Sequence, residues 1–230
     1  MPADTTTSAA AFWDTVGKAY QTAYKDIPCQ QRSLEWLLST LPAASQVADI
    51  GCGTGRPICE AFIQNGHHIT GVDVSSAMLQ AAREQVPQAT FVQSSAFDWT
   101  PSSPLDAVTA YFSIIANLTQ DQIKSFFPLA YSWLKPGGLF VFSTEPFEAN
   151  MWRGKFLGRD SVGSGVSAEE YVETVRNAGF EVVKVEKEKF LPKGEEAGIC
   201  TKEESREEDQ LFIWAKKPAE IRISDVAVDI

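Results

Sequence analysis

Residues 47–57 read Val-Ala-Asp-Ile-Gly-Cys-Gly-Thr-Gly-Arg-Pro. An apolar run long enough for one short strand meets three closely spaced glycines, and Pro57 then suits the first turn of a helix. A strand that turns on glycines into a helix allows few alternatives. Positions without side chains let the backbone approach a ligand, and the helix start presents N–H groups with no internal partner. The next apolar run, residues 68–73, ends on Asp73, eighteen residues beyond Gly55. A carboxylate there can accept from both hydroxyls of a ribose. Turn and acid together point to a nucleoside-containing ligand at the carboxyl ends of parallel strands.

The spacing sharpens the ligand. A dinucleotide fingerprint is G-x-G-x-x-G, matched to a pyrophosphate on the helix. Here the spacing is G-x-G-x-G, and Asp49 stands beside the turn. A carboxylate would repel a pyrophosphate and suit an ammonium group, which favours S-adenosylmethionine over NAD.

The remaining pattern alternates strands and helices. Helices are expected at 11–26, 30–40, from Pro57 to about Asn65, and at 75–86, 119–134 and 168–178. Strands are expected at 47–50, 68–73, 89–93, 105–112, 139–144, 180–190 and 210–216. This predicts an α/β fold with a Rossmann-like, doubly wound, seven-stranded sheet, mostly parallel with an antiparallel C-terminal edge hairpin. A chain of 230 residues with 44% hydrophobic content suits one such domain. It is expected over 11–218, after a frayed start at 1–10 and before a tail at 219–230. Residues 145–166 read as irregular and Gly-rich, mobile enough to act as a lid.

The formal net charge of -10 argues against a nucleic-acid or anionic-membrane partner, since both need a cationic face. No apolar run approaches the roughly 18 residues of a membrane span. The first basic residue is Lys18, so the start lacks the charge of an export signal and a cytoplasmic protein is expected. Cys29, Cys52, Cys59 and Cys200 have no metal-ligand spacing, and His67 and His68 are adjacent, so no metal site is expected. Both histidines read as surface residues.

Five blocks, at 47–57, 69–79, 91–99, 105–118 and 134–139, make the chain resemble class I S-adenosylmethionine-dependent methyltransferases, in particular the small-molecule enzymes of ubiquinone and menaquinone biosynthesis. The resemblance implies roles position by position. Asp49 and the backbone at Gly51, Cys52 and Gly53 would hold the methionyl end. Asp73 would bind the ribose hydroxyls, with Val74 and Met78 packed on adenine. Ser95, Ala96 and Phe97 would form the adenine edge, where many relatives carry Gly-Asp before the Ala; this chain has Ser94-Ser95, leaving Asp98 as a replacement or not. The backbone near Tyr111 would face the methionyl amine, and Tyr20 would close over the cofactor. Arg56 either reaches the cofactor carboxylate or is a solvated first-turn residue.

Methyl transfer from a sulfonium needs alignment and exclusion of water more than acid–base groups. Many relatives have a His after the fourth strand, where this chain has Asn117, which takes no proton at neutral pH. The acceptor is thus expected to be a small molecule that is itself nucleophilic: an amine, a thiol, or an acidic hydroxyl or carbon. A base from the N-terminal helix or from 145–166 is the other option. Trp13, Tyr24, Phe112, Asn117, Phe147 and Trp152 are expected to line the acceptor pocket. The Glu/Lys run at 181–209 reads as a solvated edge hairpin. A scaffold that binds the cofactor but regulates, or catalyses a non-methylating reaction, is the alternative. Oligomeric state is not legible.

Overall fold

The computed structural model describes residues 8–219. Residues 1–7 of the expected frayed start and 220–230 of the expected tail lie outside the described residues. Ser8 belongs to structure: its side chain accepts from the Ala11 N–H and caps α1 (Ala9–Val16). The single helix expected at 11–26 is two, because the chain leaves helical geometry at Gly17 before α2 (Ala19–Ala23). Then α3 (Pro28–Thr40) opens on its proline.

The sheet follows the expected alternation: β1 (Gln46–Ile50), α4 (Ile58–Gln64), β2 (His68–Asp73), α5 (Ser76–Gln85), β3 (Thr90–Gln93), β4 (Leu105–Tyr111), α6 (Gln120–Trp133) and β5 (Leu134–Thr144). Side chains of Ser75 and Thr119 cap α5 and α6, the latter through a reciprocal box with Gln122. After a two-stranded hairpin, β6 (Ala149–Phe156) and β7 (Arg159–Gly165), come α7 (Ala168–Asn177), β8 (Glu181–Phe190) and β9 (Glu208–Lys216).

Strand order is β3-β2-β1-β4-β5-β9-β8, parallel from β3 to β5 and antiparallel at β5/β9 and β9/β8. Alternate residues of each strand enter different cores. Val47, Ile69, Val141 and Trp214 pack with helices α1, α3 and α4. Ala48, Val72, Phe140 and Ile213 pack with α6 and α7. Both faces are therefore covered, as the near-continuous apolar strands require. The chain runs outward from β1 to β3, then returns to β4 on the other side of β1. That reversal opens a crevice at the carboxyl ends of β1 and β4.

Two expectations change here. Residues 145–166 are not irregular: Leu157 (φ 50°) and Gly158 (φ 72°) make a two-residue turn with both φ positive, the geometry that matches a hairpin's twist. An isolated bridge between Ala116 and Gly163 ties the hairpin to the loop after β4. His67 is not on the surface; it is buried against Phe62, and its Nδ1 accepts from the Ser45 N–H. Among the described residues, no helix is long and apolar enough to cross a membrane.

Candidate active site

The glycine turn shapes the crevice. Gly51 (φ 70°) donates its N–H to the Val72 carbonyl at 2.7 Å, and a Cβ there would stand 2.1 Å from Ser113 Cβ. Only a residue without a side chain lets β1 turn this close to the exit of β4. Asp73 is then held from two sides: its Oδ2 accepts from the Gly53 N–H and its Oδ1 from the Ser75 N–H, both at 2.8 Å. Each oxygen keeps a lone pair for a ligand hydroxyl. Burial raises the Asp73 carboxyl above its ordinary range, against those N–H groups.

A cavity of about 140 Å³ lies over this turn. Gly51, Gly53, Asp73 and Tyr111 border it, Val74 and Met78 form one wall, and Ser95, Ala96 and Phe97 another. Tyr20 and Trp13 cover it from the N-terminal helices. Asp14 latches that cover, its Oδ1 accepting from Ser75 Oγ at 2.6 Å and from the Ala77 N–H at 3.1 Å, at the start of α5. Ser95 Oγ accepts from the Phe97 N–H, shaping the adenine-edge segment, while Asp98 does not border the cavity. Ser113 Oγ is buried at the cavity without a hydrogen-bond partner.

Two of the expected cofactor residues sit differently. The Cys52 N–H donates to Val72 O and its thiol packs at Gly71; Cys52 borders not this cavity but a second one, beneath the turn. Asp49 lies beneath the turn, bordering the same second cavity with Thr54 and Arg56. Its Oδ1 accepts from Thr109 Oγ1 at 2.7 Å, and burial pushes its carboxyl up to about 7. An ammonium ligand would reverse that shift. Arg56 pairs with Glu60 at 2.7 Å, one turn along α4. Tyr111 turns its phenol to Ser33 Oγ at 2.7 Å, and burial holds it above the usual tyrosine range.

A third cavity, about 430 Å³, opens beside the first and shares Trp13, Tyr20, Phe112 and Ala116 with it. Phe112 borders all three cavities from φ 51°, a region that bulky residues seldom adopt. Tyr20 stacks on Tyr24 with ring centroids 4.3 Å apart, and Phe147, just before the hairpin, and Trp152, within it, close the far side. Asn117 does not border these cavities. It adopts φ 55° and spends its backbone N–H on Val162 O, so its place is the seam with the hairpin.

The residue that sequence reasoning missed is Glu208. It is not solvated but 5% exposed, at the head of β9. Tyr24 OH donates to its Oε1 at 2.5 Å and Gln210 Nε2 to its Oε2 at 3.4 Å. Burial pushes its carboxyl up to about 7, with Glu145 adding to the rise. Its sequence neighbours Glu207 and Asp209 are exposed, so the acidic run hid the one inward position.

A family model described as a methyltransferase domain matches residues 47–138. A trans-aconitate 2-methyltransferase from Paracidovorax citrulli is 37% identical over 46% of this chain, which spans only 41% of that protein. Among solved structures, the DhpI–SAH complex is similar over 92% of this chain and 96% of its own, with TM-score 0.66 and 19% identity. The [4+2]-cyclase SpnF has TM-score 0.64, 22% identity and 82% coverage of each chain, a likeness of fold alone. A malonyl-[acyl-carrier protein] O-methyltransferase from Enterobacter lignolyticus is 30% identical over 72% of this chain and 69% of its own length. With the family model spanning the strand–turn–helix and its acid, and that relative covered over more than two thirds of its length, the chain belongs to the S-adenosylmethionine-dependent methyltransferases.

Proposed function

We propose that this chain methylates a small molecule held in the 430 Å³ cavity, with S-adenosylmethionine over the glycine turn. One observation carries the reading: the cavity over Gly51 and Asp73 adjoins an aromatic cavity through shared residues. When bound, S-adenosylmethionine would supply an electrophilic methyl on a sulfonium: an acceptor's lone pair forms the new bond to that carbon in line as the C–S pair leaves on sulfur. The residues present fit that ligand. Asp73 offers free lone pairs for the ribose hydroxyls, Val74 and Met78 an apolar wall for adenine, and the unpartnered Ser113 Oγ a further contact. Asp49, beneath the turn, favours the ammonium by charge.

The chain's own contribution is alignment and dryness. Tyr20 and Trp13 cover the junction of the two cavities, where exclusion of water strengthens every charge interaction. The acceptor belongs among amines, thiols and acidic hydroxyl or carbon nucleophiles. The protein acts on no nucleic acid and works in the cytoplasm. Calorimetry with S-adenosylmethionine, S-adenosylhomocysteine and NAD, followed by transfer of a labelled methyl to a metabolite extract, tests the reading. Binding of the first two and label in a small product are expected. Binding of NAD alone, or cofactor binding without transfer to any acceptor, would sink it.

A further inference from the structure

We infer that the acceptor is an amine, bound as an ammonium in the aromatic cavity, with Glu208 as the group that takes its proton. The inference rests on the reading of that cavity as the acceptor site. The cavity wall carries Glu145, Glu208 and Asp209 against one cation, Arg206. Arg206 is exposed and pairs with Glu145 at 3.2 Å; its charge opposes the rise at Glu208 from a distance, but it makes no ion pair with that carboxylate. Its two hydrogen bonds come from neutral donors, Tyr24 OH and Gln210 Nε2. A buried carboxylate bonded only by neutral groups is an expensive arrangement unless a cation arrives to share it.

Around that carboxylate the wall is aromatic. Tyr20 and Tyr24 stack beside it and Phe112, Phe147, Trp152 and Phe156 complete the enclosure. Ring faces attract an ammonium and its carbon substituents alike. A carboxylate acceptor would meet the opposite: three acids against one basic lining residue, Arg206, which is already paired with Glu145. The chain thus diverges in its acceptor cavity from the chemistry named for the trans-aconitate and malonyl relatives.

Proton removal balances within the site. The ammonium N–H bond breaks, its pair stays on nitrogen as the nucleophilic lone pair, and the proton joins a Glu208 oxygen. Tyr24 OH stays bonded to Oε1 and so positions the carboxylate. Burial has already lifted the Glu208 carboxyl to about 7, and the Tyr20 phenol is held above its usual range by burial and by Glu208 and Glu145. Glu145 is itself raised by burial, with Arg206 opposing. Glu208 is therefore ionised above pH 7, and an ammonium must lose affinity as pH falls through that value.

The test is calorimetry of the full chain, saturated with S-adenosylhomocysteine, against 2-phenylethylamine, 2-phenylethanol and phenylacetate. The amine is expected to bind at least about tenfold tighter than the alcohol, with the acid weakest. Its affinity should fall about tenfold between pH 8 and pH 6, following the ionised fraction of one group at pH 7. Glu208→Gln keeps the Tyr24 hydrogen bond and should abolish both the preference and the pH dependence. If that variant does not unfold cooperatively, the wild-type preference and pH profile carry the test. Equal binding of the three probes, preference for phenylacetate, absence of amine binding, or a preference surviving Glu208→Gln would overturn the inference. Labelled-methyl transfer separates the two readings. Label on thiols or acids without amine selectivity overturns the amine and leaves methyl transfer standing. Amine-selective binding without label in any product does the reverse.

Discussion

The cavity over the glycine turn, proposed for the cofactor, and the aromatic cavity, proposed for the acceptor, share a wall yet are built on opposite plans. The first is built chiefly on β1, β2 and the turns that follow them, where the Gly53 and Ser75 N–H groups donate to Asp73 and the Gly51 N–H to the Val72 carbonyl. The second draws Tyr24 from the end of α2, Phe112 from the exit of β4, Phe147 from the β5–β6 connection, Trp152 from the hairpin, and Glu208 from β9. A site made of local backbone geometry resists change, because altering one side chain leaves its N–H groups in place. A site made where distant elements meet can be remodelled one side chain at a time, which is where acceptor choice belongs.

Substitutions can break or sharpen this contrast. The largest effect is expected from Asp73→Ala, which removes two charge-assisted bonds to ligand hydroxyls and unties Gly53 and Ser75. Affinity for S-adenosylhomocysteine should fall roughly 100-fold by calorimetry, at about 1.5 kcal/mol per bond. A loss under about fivefold would mean the acid does not hold the ribose.

Asp49→Asn should separate binding from stability. The folded carboxyl is raised to about 7 by burial, above its ordinary value near 3.8. Between about pH 4 and pH 7 the folded state therefore holds a proton that the unfolded state has released, so stability declines as pH rises through that window. The variant should melt several degrees above wild type at pH 8, with the gain shrinking toward pH 4. Cofactor affinity should drop about tenfold because the ammonium loses its charge partner. A melting temperature below wild type at pH 8 would contradict the sign.

Trp152→Ala probes the other cavity from its half-open rim, where the ring is 41% exposed. The acceptor KM should rise about tenfold, in keeping with loss of roughly 1.4 kcal/mol of contact. Cofactor affinity should stay within about twofold, and a parallel loss would show that the two sites are one. The smallest effect is expected at Asn117→Ala, where alanine tolerates the φ of 55° less well than asparagine, by about 1 kcal/mol. Turnover should change less than about threefold, and its abolition with cofactor binding intact would return Asn117 to the acceptor site.

The same contrast explains what could be seen in advance. That Gly51, Asp73, Val74, Met78 and the segment at 95–97 gather around one cavity was legible because each lies at or just past the carboxyl end of β1, β2 or β3. The aromatic wall was legible only as residue type. Asn117 was misplaced because its register after β4 depends on a bond to Val162, and residues 145–166 were misread because glycine content signals freedom when the partner strand is unknown. Cys52 was assigned by position in the turn, yet its thiol direction depends on the gap left at Gly71.

Sequence by itself determined the parallel α/β order, the glycine turn and the acid that faces it, since these follow from periodicity and backbone constraints within a few dozen residues. Tertiary structure alone decided that Glu208 is buried and bonded to Tyr24, 184 residues away along the chain. A carboxylate's burial and charge state depend on what packs over it, and in an acidic surface run no local pattern distinguishes the one position that turns inward.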